Sequence, residues 1–315
     1  MDLRRAVNGY QVSQALHVAA VLGIADLLAD GSRSSDDLAA TCGAHPDSLY
    51  RLLRALASIG VLEAQPERRF ALTEVGEELR SNVPGSEHAH AIFIGRDYHW
   101  NAWSHLEQSV RTGEPAFPSL YGKSVWEYRA EDPEESAIFD RWMTANTETV
   151  NDVIAGTYDF SRFRHVVDVG GGRGSLISAI VRAHPGVRGT LFDQAHVVAD
   201  VEIDGVEVVG GSFFEAVPRG GDAYVLKSII HDWGDDEAIA ILRTCAAALD
   251  GDAHVLLVER DLTAPAASWL DLQMLVMLGG RERTEDEYAA LFRAAGLEPA
   301  GATPIGAGLS VFEAR

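Results

Sequence analysis

A glycine-rich segment at residues 166–176 has the composition of a ligand-binding loop. Its sequence, VVDVGGGRGSL, runs from apolar residues through Asp168 into four glycines within five positions. Glycine lets a backbone adopt left-handed conformations and lets a ligand approach closely, at a cost in backbone entropy. A tight turn between a strand and a helix needs fewer glycines than this. We therefore expect a ligand in contact with the backbone of this loop.

The spacing of these glycines differs from that of a dinucleotide site. Gly170, Gly172 and Gly174 form G-x-G-x-G, whereas the dinucleotide fingerprint is G-x-G-x-x-G. A carboxylate at Asp168 would repel a pyrophosphate but attract an ammonium group. Asp193 ends the next β-rich run, where an acid can accept hydrogen bonds from ribose hydroxyls. A nucleoside with an amino-acid tail and no phosphate satisfies both acids. S-adenosylmethionine is such a ligand, and a nicotinamide dehydrogenase is disfavoured.

A histidine follows another β-rich run. His231 comes after AYVLKSII, at the predicted carboxyl end of a strand, where open α/β sheets bind ligands. A histidine with a pKa near neutrality can take the proton of a phenol, whose pKa is about 10. A carboxylate on its other ring nitrogen would fix the tautomer, and Glu259 is the first choice for that role. The alternative is that HDW only caps the next helix, a role for which Asp235 is better suited.

Three segments together resemble the class I S-adenosylmethionine-dependent O-methyltransferases of small molecules. They are DVGGGRG, LKSIIHDWGDDEA and LGGRERTEDEYAALFRAAGL, and the resemblance covers essentially the whole chain. It implies a Rossmann-like class I methyltransferase fold with an N-terminal winged-helix-like dimerisation domain. It also implies S-adenosyl-L-methionine as cofactor, S-adenosyl-L-homocysteine as product, a small aromatic acceptor and a homodimer in secondary metabolism such as antibiotic biosynthesis.

The resemblance also implies roles for individual residues. Those expected at the cofactor are Asp168, Gly170, Gly172, Gly174, Asp193, Gly211, Ser212, Phe213, Lys227 and Trp233. Those expected at the acceptor are Met143, Asn146, Asp232 and Met274, and the expected catalytic residues are His231 as general base, Glu259 and Glu282. Ser212 stands where the family usually has an Asp beside the adenine, so a weaker contact is expected there. The match at Glu282 is looser than at Glu259.

Two further expectations concern the methionines and metals. Met143 and Met274 are interpreted either as a clamp on the acceptor ring or as ordinary core residues. No compact set of acidic residues in the sequence suggests Mg²⁺, so metal-independent transfer is expected.

After about residue 163, predicted strands alternate with predicted helices, and these elements must position the site residues. The β-rich runs HVVDVG, GTLFD, VEVVG, AYVLKS and HVLLVER are mostly separated by helical segments, which predicts an α/β fold with a doubly wound, mostly parallel sheet. The final two runs have no helix between them, so they should pair antiparallel at the sheet edge. Residues 96–315 are the predicted cofactor-binding domain. Within it, the helical segment 96–160 is aromatic-rich, and its rings either line the acceptor pocket or fill the core.

Residues 1–95 predict three helices followed by a β-ribbon, the outline of a winged helix. This outline suits either DNA binding or dimerisation. The chain has 26 basic and 47 acidic residues and a net charge of −21, which repels a phosphate backbone. Dimerisation is therefore favoured, and no nucleic acid partner is expected. Apolar residues on several faces of the first helical segment also fit a dimer interface.

Composition indicates the cellular compartment and leaves alternative functions open. The chain has no run of roughly 18 apolar residues and no secretion signal, so no membrane association is expected. Its two cysteines, Cys42 and Cys245, fit buried thiols in a reducing cytoplasm. The predicted function is O-methylation of a small aromatic natural product such as a polyketide or flavonoid. The alternatives are a hydroxylase, decarboxylase or N- or C-methyltransferase of the same fold and, less favoured, a winged-helix DNA-binding regulator.

Overall fold

The computed structural model describes residues 2–264, 267–306 and 308–315, with the side chains of residues 144–149 left out. It contains two compact units. One runs to Asn101 and includes Asp132–Asn146, and the other comprises Ala102–Glu131 and Thr147–Arg315. The sequence-predicted domain boundary at residue 95 stays a prediction.

The N-terminal part forms helices and a three-stranded antiparallel sheet of order β1-β3-β2. Ser34 and Thr73 accept hydrogen bonds from backbone N–H groups at the starts of α4 and α6, and Pro46 begins α5. Ser and Thr at the N-cap and Pro in the first turn are residues typical of helix starts. The elements are α1 Leu3–Val7, α2 Gly9–Val21, α3 Ile24–Leu27, β1 Arg33–Ser34, α4 Ser35–Cys42, α5 Pro46–Ser58, β2 Leu62–Gln65, β3 Arg69–Leu72, α6 Glu74–Glu77 and α7 His88–Ile94.

Helices fill the aromatic-rich segment that follows. Phe93 stacks on Trp142 with ring centroids 4.3 Å apart, and Phe117 stacks on Tyr121 at 4.7 Å. Within each compact unit the rings therefore pack against one another. The helices are α8 Asp97–Ser104, α9 Leu106–Thr112, α10 Ala116–Tyr121, α11 Val125–Glu131 and α12 Pro133–Thr157.

The larger sheet has the predicted architecture. Across the described residues its strand order is β6-β5-β4-β7-β8-β10-β9, with β4 to β8 parallel and β10 antiparallel to both of its neighbours. The elements are β4 His165–Val169, α13 Ser175–Ala183, β5 Arg188–Asp193, α14 Ala195–Val198, β6 Val206–Gly210, β7 Ala223–Lys227, α15 Asp235–Ala246, β8 His254–Arg260, α16 Ala267–Met277, α17 Glu285–Ala294, β9 Pro299–Gly306 and β10 Leu309–Ala314, with 3₁₀ turns at Phe160–Arg162 and Ile230–Asp232.

Alternating side chains of the central strands build a core on each face of this sheet. Val167 and Leu257 pack in the cluster that contains α15 and α17, while Val166 and Leu256 pack in the cluster that contains α13. Burial on both faces explains the continuous apolar runs of these strands. None of the helices in the described ranges is long and apolar enough to span a membrane.

Replacing Gly76 with alanine should destabilise the N-terminal unit. A Cβ at Gly76 would collide with the backbone carbonyl of Val61, whereas one at Gly156, in α12, would meet no atom within 4 Å. We expect Gly76→Ala to cost about 1–3 kcal/mol through overpacking. Gly156→Ala should leave stability unchanged or raise it by roughly 0.5–1 kcal/mol. Thermal unfolding midpoints of the two variants check this, and equal midpoints would contradict it.

Candidate active site

The glycine-rich loop joins β4 to α13. Gly170, Gly172 and Gly174 have φ of 72°, 58° and 80°, a region that strains any side-chain-bearing residue. A Cβ on Gly170 would also lie 2.5 Å from Cδ1 of Ile229, and one on Gly174 would collide with Ile203. The loop therefore needs glycine for its conformation and for its close packing, and its backbone stays bare toward a ligand.

Asp168 is buried at the end of β4, beneath this loop. Its Oδ2 accepts a hydrogen bond of 3.2 Å from the backbone N–H of Ile177. Burial raises the pKa of Asp168 to about 7, although the positive charge of Lys227 opposes the shift. A buried carboxylate of this kind is stabilised by a cation. The site therefore favours a ligand that brings a positive group.

Asp193 lies at the end of β5 and contacts the same loop. Its Oδ2 accepts a hydrogen bond of 2.7 Å from Gly172 N–H, and its Oδ1 accepts one of 2.6 Å from Gln194 N–H. The backbone N–H of Gly211 donates to the carbonyl oxygen of Asp193 at 2.9 Å. A carboxylate has about four lone-pair sites, so two remain for the hydroxyls of a ligand.

Three aromatic side chains form a cluster beside the loop. The ring centroid of Phe214 lies 4.8 Å from that of Trp233, and Phe213 is 5.0 Å from Phe214. Phe213 also lies against Gly170, since a Cβ there would be 3.6 Å from its ring. The Ser212 hydroxyl accepts a hydrogen bond of 3.3 Å from Phe214 N–H. It keeps its own proton for a further partner.

His231 lies in the 3₁₀ turn Ile230–Asp232 and is buried among three carboxylates. Its Nδ1 is 2.7 Å from Oε1 of Glu282 and 3.4 Å from Oε2 of Glu259. Its Nε2 is 3.4 Å from Oδ1 of Asp232. Burial alone would lower the pKa of His231, but Glu259, Asp232 and Glu282 together outweigh it and raise the pKa to about 10.

The two glutamates have different structural roles from those the sequence suggests. Glu282, whose match was the looser, makes the short hydrogen bond to His231 that was expected of Glu259. Glu259 instead accepts hydrogen bonds through Oε1 from the N–H groups of Ile229 and Ile230, at 3.0 and 2.8 Å. It thereby holds the start of the histidine turn. Burial raises the pKa of Glu259 above its usual range.

Lys227 and Asp232 complete the part of the site around His231. Lys227 ends β7, and burial lowers its pKa while the charges of Asp168 and Glu259 oppose that change. Lys227 thus lies between the glycine loop and the glutamates. Burial raises the pKa of Asp232 to about 6, against the lowering effect of His231.

The expected acceptor residues are divided between the two compact units. Met274 is buried on α16, the helix whose Asp271 accepts a hydrogen bond of 2.9 Å from Glu282 N–H. Met143 and Asn146 belong to the other compact unit, and the side chain of Asn146 lies outside the described residues. The acceptor roles of these residues stay predictions.

Sequence reasoning missed Arg283. It expected Asp235 to start α15, and the helix does begin at Asp235. The N-cap of α15 is Gly234, with no side-chain capping bond, and not Asp235. The carboxylate of Asp235 instead accepts a hydrogen bond of 2.7 Å from the buried guanidinium of Arg283. The only available signal was the position of Arg283 next to Glu282 in GGRERT.

The cluster of His231, Glu259 and Glu282 also has the composition of a metal site. The ligand atoms of His231, Glu259 and Glu282 lie within 4.8 Å of one another. The separation of 2.7 Å between His231 and Glu282 is that of a charge-assisted hydrogen bond. Metal-independent transfer stays a prediction.

Comparison with known proteins identifies the family. Residues 103–298 match the O-methyltransferase domain, and residues 5–82 match the O-methyltransferase dimerisation domain. The phenazine O-methyltransferase PhzM of Lysobacter antibioticus is 41% identical over 99% of this chain and 95% of its own length. The chain belongs to the O-methyltransferase family, as its motifs indicate.

Solved structures agree with this assignment. The crystal structure of LaPhzM has a TM-score of 0.95, with 41% identity over 99% of this chain and 98% of that one. The O-methyltransferase NcsB1, solved with S-adenosylmethionine and 2-hydroxy-5-methyl naphthoic acid, has a TM-score of 0.86 and 38% identity over 96% and 95% of the two chains.

Some relatives carry out other reactions. The aclacinomycin 10-hydroxylase RdmB of Streptomyces purpurascens is 36% identical over 90% of this chain and 80% of its own length. An 8-amino-8-demethylriboflavin N,N-dimethyltransferase of Streptomyces davaonensis is 34% identical over 97% and 92% of the two chains. Membership of the family therefore does not fix the reaction.

Removing the charge of Glu282 should lower the pKa of His231. In Glu282→Gln we expect a decrease of at least about one pH unit, because the imidazolium loses its nearest counter-charge. The measurement is a pH titration of the imidazole resonances in protein labelled with ¹⁵N-histidine. Glu285→Gln, which neutralises an exposed acid at the start of α17, is the matched control. An unchanged titration in Glu282→Gln would contradict the assignment of Glu282.

Proposed function

We propose that the protein transfers a methyl group from S-adenosylmethionine to a hydroxyl group of a small aromatic natural product, with His231 as general base. The observation that carries this proposal is the buried His231–Glu282 pair at 2.7 Å. It lies at the carboxyl edge of the sheet that also carries the glycine loop. The aromatic acceptors named for the relatives support the substrate class.

The residues around the glycine loop fit the cofactor. In this proposal Asp168 binds the ammonium group, Asp193 binds the ribose hydroxyls, and Phe213 and Trp233 pack against a flat ring. The bare backbone at Gly170–Gly174 would accommodate the amino-acid tail. When bound, S-adenosylmethionine supplies a methyl group on a positively charged sulfur, with a neutral leaving group.

The chain's own contribution to the chemistry is to orient the acceptor and accept its proton. The pKa of His231, at about 10, is close to that of a phenol. Proton transfer from the acceptor hydroxyl to the imidazole is then nearly balanced in free energy. Glu282 holds the imidazole tautomer and stabilises the imidazolium that forms.

The second candidate is a same-fold enzyme with another reaction, as in the hydroxylase and N-methylating relatives. A histidine fixed by a buried carboxylate suits deprotonation of a hydroxyl and so favours O-methylation. The deciding experiment incubates the protein with methyl-labelled S-adenosylmethionine and a panel of phenols, hydroxynaphthoates, flavonoids and hydroxyphenazines, followed by mass spectrometry. A labelled methyl on oxygen supports the proposal. An added oxygen, a lost carboxyl group or a methyl on nitrogen or carbon supports the second candidate.

Replacing His231 with glutamine should slow transfer at least about 100-fold, since the general base is lost. Binding of S-adenosylmethionine, measured by calorimetry, should be retained.

In the unmodified protein, kcat/KM for the acceptor should rise between pH 7 and 9, because the raised pKa keeps His231 protonated at neutral pH and only the neutral imidazole can accept a proton. This rise should disappear in His231→Gln. A variant with full activity would mean that alignment alone drives the reaction.

Cofactor binding should weaken in acid because Asp168 titrates near neutrality. Its pKa of about 7 leaves it mostly neutral at pH 6, and its attraction for an ammonium group is then lost. We expect the Kd for S-adenosylmethionine to rise at least about threefold between pH 7.5 and 6. Asp168→Asn should bind weakly with little pH dependence, while the exposed Asp252→Asn should behave like the unmodified protein. A Kd that does not change with pH in the unmodified protein and in Asp252→Asn would overturn the role of Asp168.

We further propose a homodimer formed through the N-terminal unit. Residues 5–82 match a dimerisation domain, and α1 and α2 expose Leu3, Val7 and Tyr10. Sedimentation as a monomer would contradict this. The cytoplasmic location and the lack of nucleic acid binding remain predictions from composition, and a gel shift at low salt tests the second.

A further inference from the structure

Arg283 is a fully buried cation immediately after Glu282, with a relative exposure of 0%. Its Nη1 donates hydrogen bonds to the carbonyl oxygens of Ile230 and Arg281, at 3.1 and 3.2 Å. Its Nη2 donates to the carbonyl of Trp233 at 2.9 Å and to Oδ1 of Asp235 at 2.7 Å. Burying a charged side chain is expensive unless its donors are paired. This arginine is paired mainly to backbone.

The carbonyl groups that it binds enclose the histidine turn. Ile230 directly precedes His231, and Trp233 follows it by two positions. One rigid guanidinium therefore holds both ends of the turn that presents the imidazole. The carboxylate of Asp235 fixes the guanidinium from the other side, at the start of α15.

The backbone of Arg283 contacts a third segment of the site. Its carbonyl oxygen accepts a hydrogen bond of 3.0 Å from Leu262 N–H, and it forms a β-bridge with Asp261. These residues directly follow β8, which carries Glu259 near its end. The segments of His231, Glu282 and Glu259 therefore meet at Arg283.

Close packing of the two loops supports this arrangement. A Cβ on Gly280 would lie 2.6 Å from the backbone N of Trp233 and would collide with the carbonyl oxygen of His231. The loop that carries Glu282 is thus in direct backbone contact with the histidine turn. A small displacement of either loop would lengthen the bond of 2.7 Å between His231 and Glu282.

We propose that Arg283 is a positioning residue that sets the geometry of His231 relative to Glu282 and Glu259. None of its hydrogen bonds within the described residues goes to the imidazole or to either glutamate, so it acts through the turn. Its importance for catalysis rests on the proposed function of His231. Its effect on the geometry of the imidazole does not.

Lysine cannot replace this arginine. A guanidinium has five N–H donors in a planar fork, whereas an ammonium has three donors on a single nitrogen. Arg283→Lys keeps the charge but offers a single nitrogen in place of Nη1 and Nη2, which bind Ile230 and Trp233 separately. Arg281 provides the control, because it lies two positions earlier, is 48% exposed and pairs with Glu287 at 2.9 Å, while Asp235 is farther away at 3.7 Å.

The first test needs no acceptor. The pKa of His231 is measured by ¹⁵N-histidine titration in the unmodified protein, Arg283→Lys and Arg281→Lys. The groups that act on His231 are Asp232 on its turn, Glu259 on β8 and Glu282 before α17, while Arg129 on α11 and Lys227 on β7 act on those acids. We expect Arg283→Lys to lower the pKa of His231 by at least one pH unit, because the carboxylates move away, and Arg281→Lys to leave it unchanged.

The second test is kinetic. It uses 1,4-dihydroxy-2-naphthoate, or whichever compound of the acceptor panel is methylated. We expect Arg283→Lys to lower kcat at least 30-fold with the Kd of S-adenosylmethionine within threefold, and Arg281→Lys to retain kcat. If Arg283→Lys does not fold, Asp235→Asn replaces it, since that side chain is 54% exposed. Smaller decreases in the pKa of His231 and in kcat are then expected.

Each result has one meaning for the proposal. A lower melting temperature with an unchanged pKa of His231 and unchanged kcat would show that Arg283 only stabilises the fold, and would overturn the proposal. If no compound of the acceptor panel is methylated, the result counts against the proposed function. The titration of His231 would still decide the role of Arg283.

Discussion

The buried hydrogen bond between His231 and Glu282 is the constraint on which the rest of the site depends. An imidazole that gains charge out of contact with water is costly unless carboxylates compensate it at close range. Glu282, Glu259 and Asp232 supply that compensation at 2.7, 3.4 and 3.4 Å. Each comes from a different position in the chain, so the loops around them must be held rigidly. The paired guanidinium of Arg283 meets that requirement.

The sheet brings the histidine cluster and the glycine loop to one edge. Parallel strands place their carboxyl ends together. Here β4 ends next to Asp168 and β5 ends at Asp193, while β7 ends at Lys227 and β8 ends next to Glu259. Lys227 lies between the two groups of acids, where its charge opposes the burial that raises the pKa of Asp168. The two halves of the site are therefore electrostatically linked as well as adjacent.

Relatives with this architecture include O- and N-methylating enzymes and a hydroxylase. Such a range is expected when a fold supplies a cofactor cradle and the reaction depends on a few side chains beside it. In this chain the buried His231 and the carboxylates around it lie at the same sheet edge as the glycine loop. Between α7 and α12, aromatic residues pack against one another within each compact unit.

The sequence by itself determined the elements and their order, since strand and helix periodicities, glycine spacing and the helix-start residues Ser34, Pro46 and Thr73 are local properties. It also identified the acids at strand ends, because parallel strands place such residues together. Tertiary structure alone decided which glutamate bonds to His231, since Glu282 and Glu259 reach it from segments far apart in the chain. It also decided that Asp235 pairs with Arg283 and does not cap its helix. Side-chain partners set by packing leave no periodic signal in a sequence.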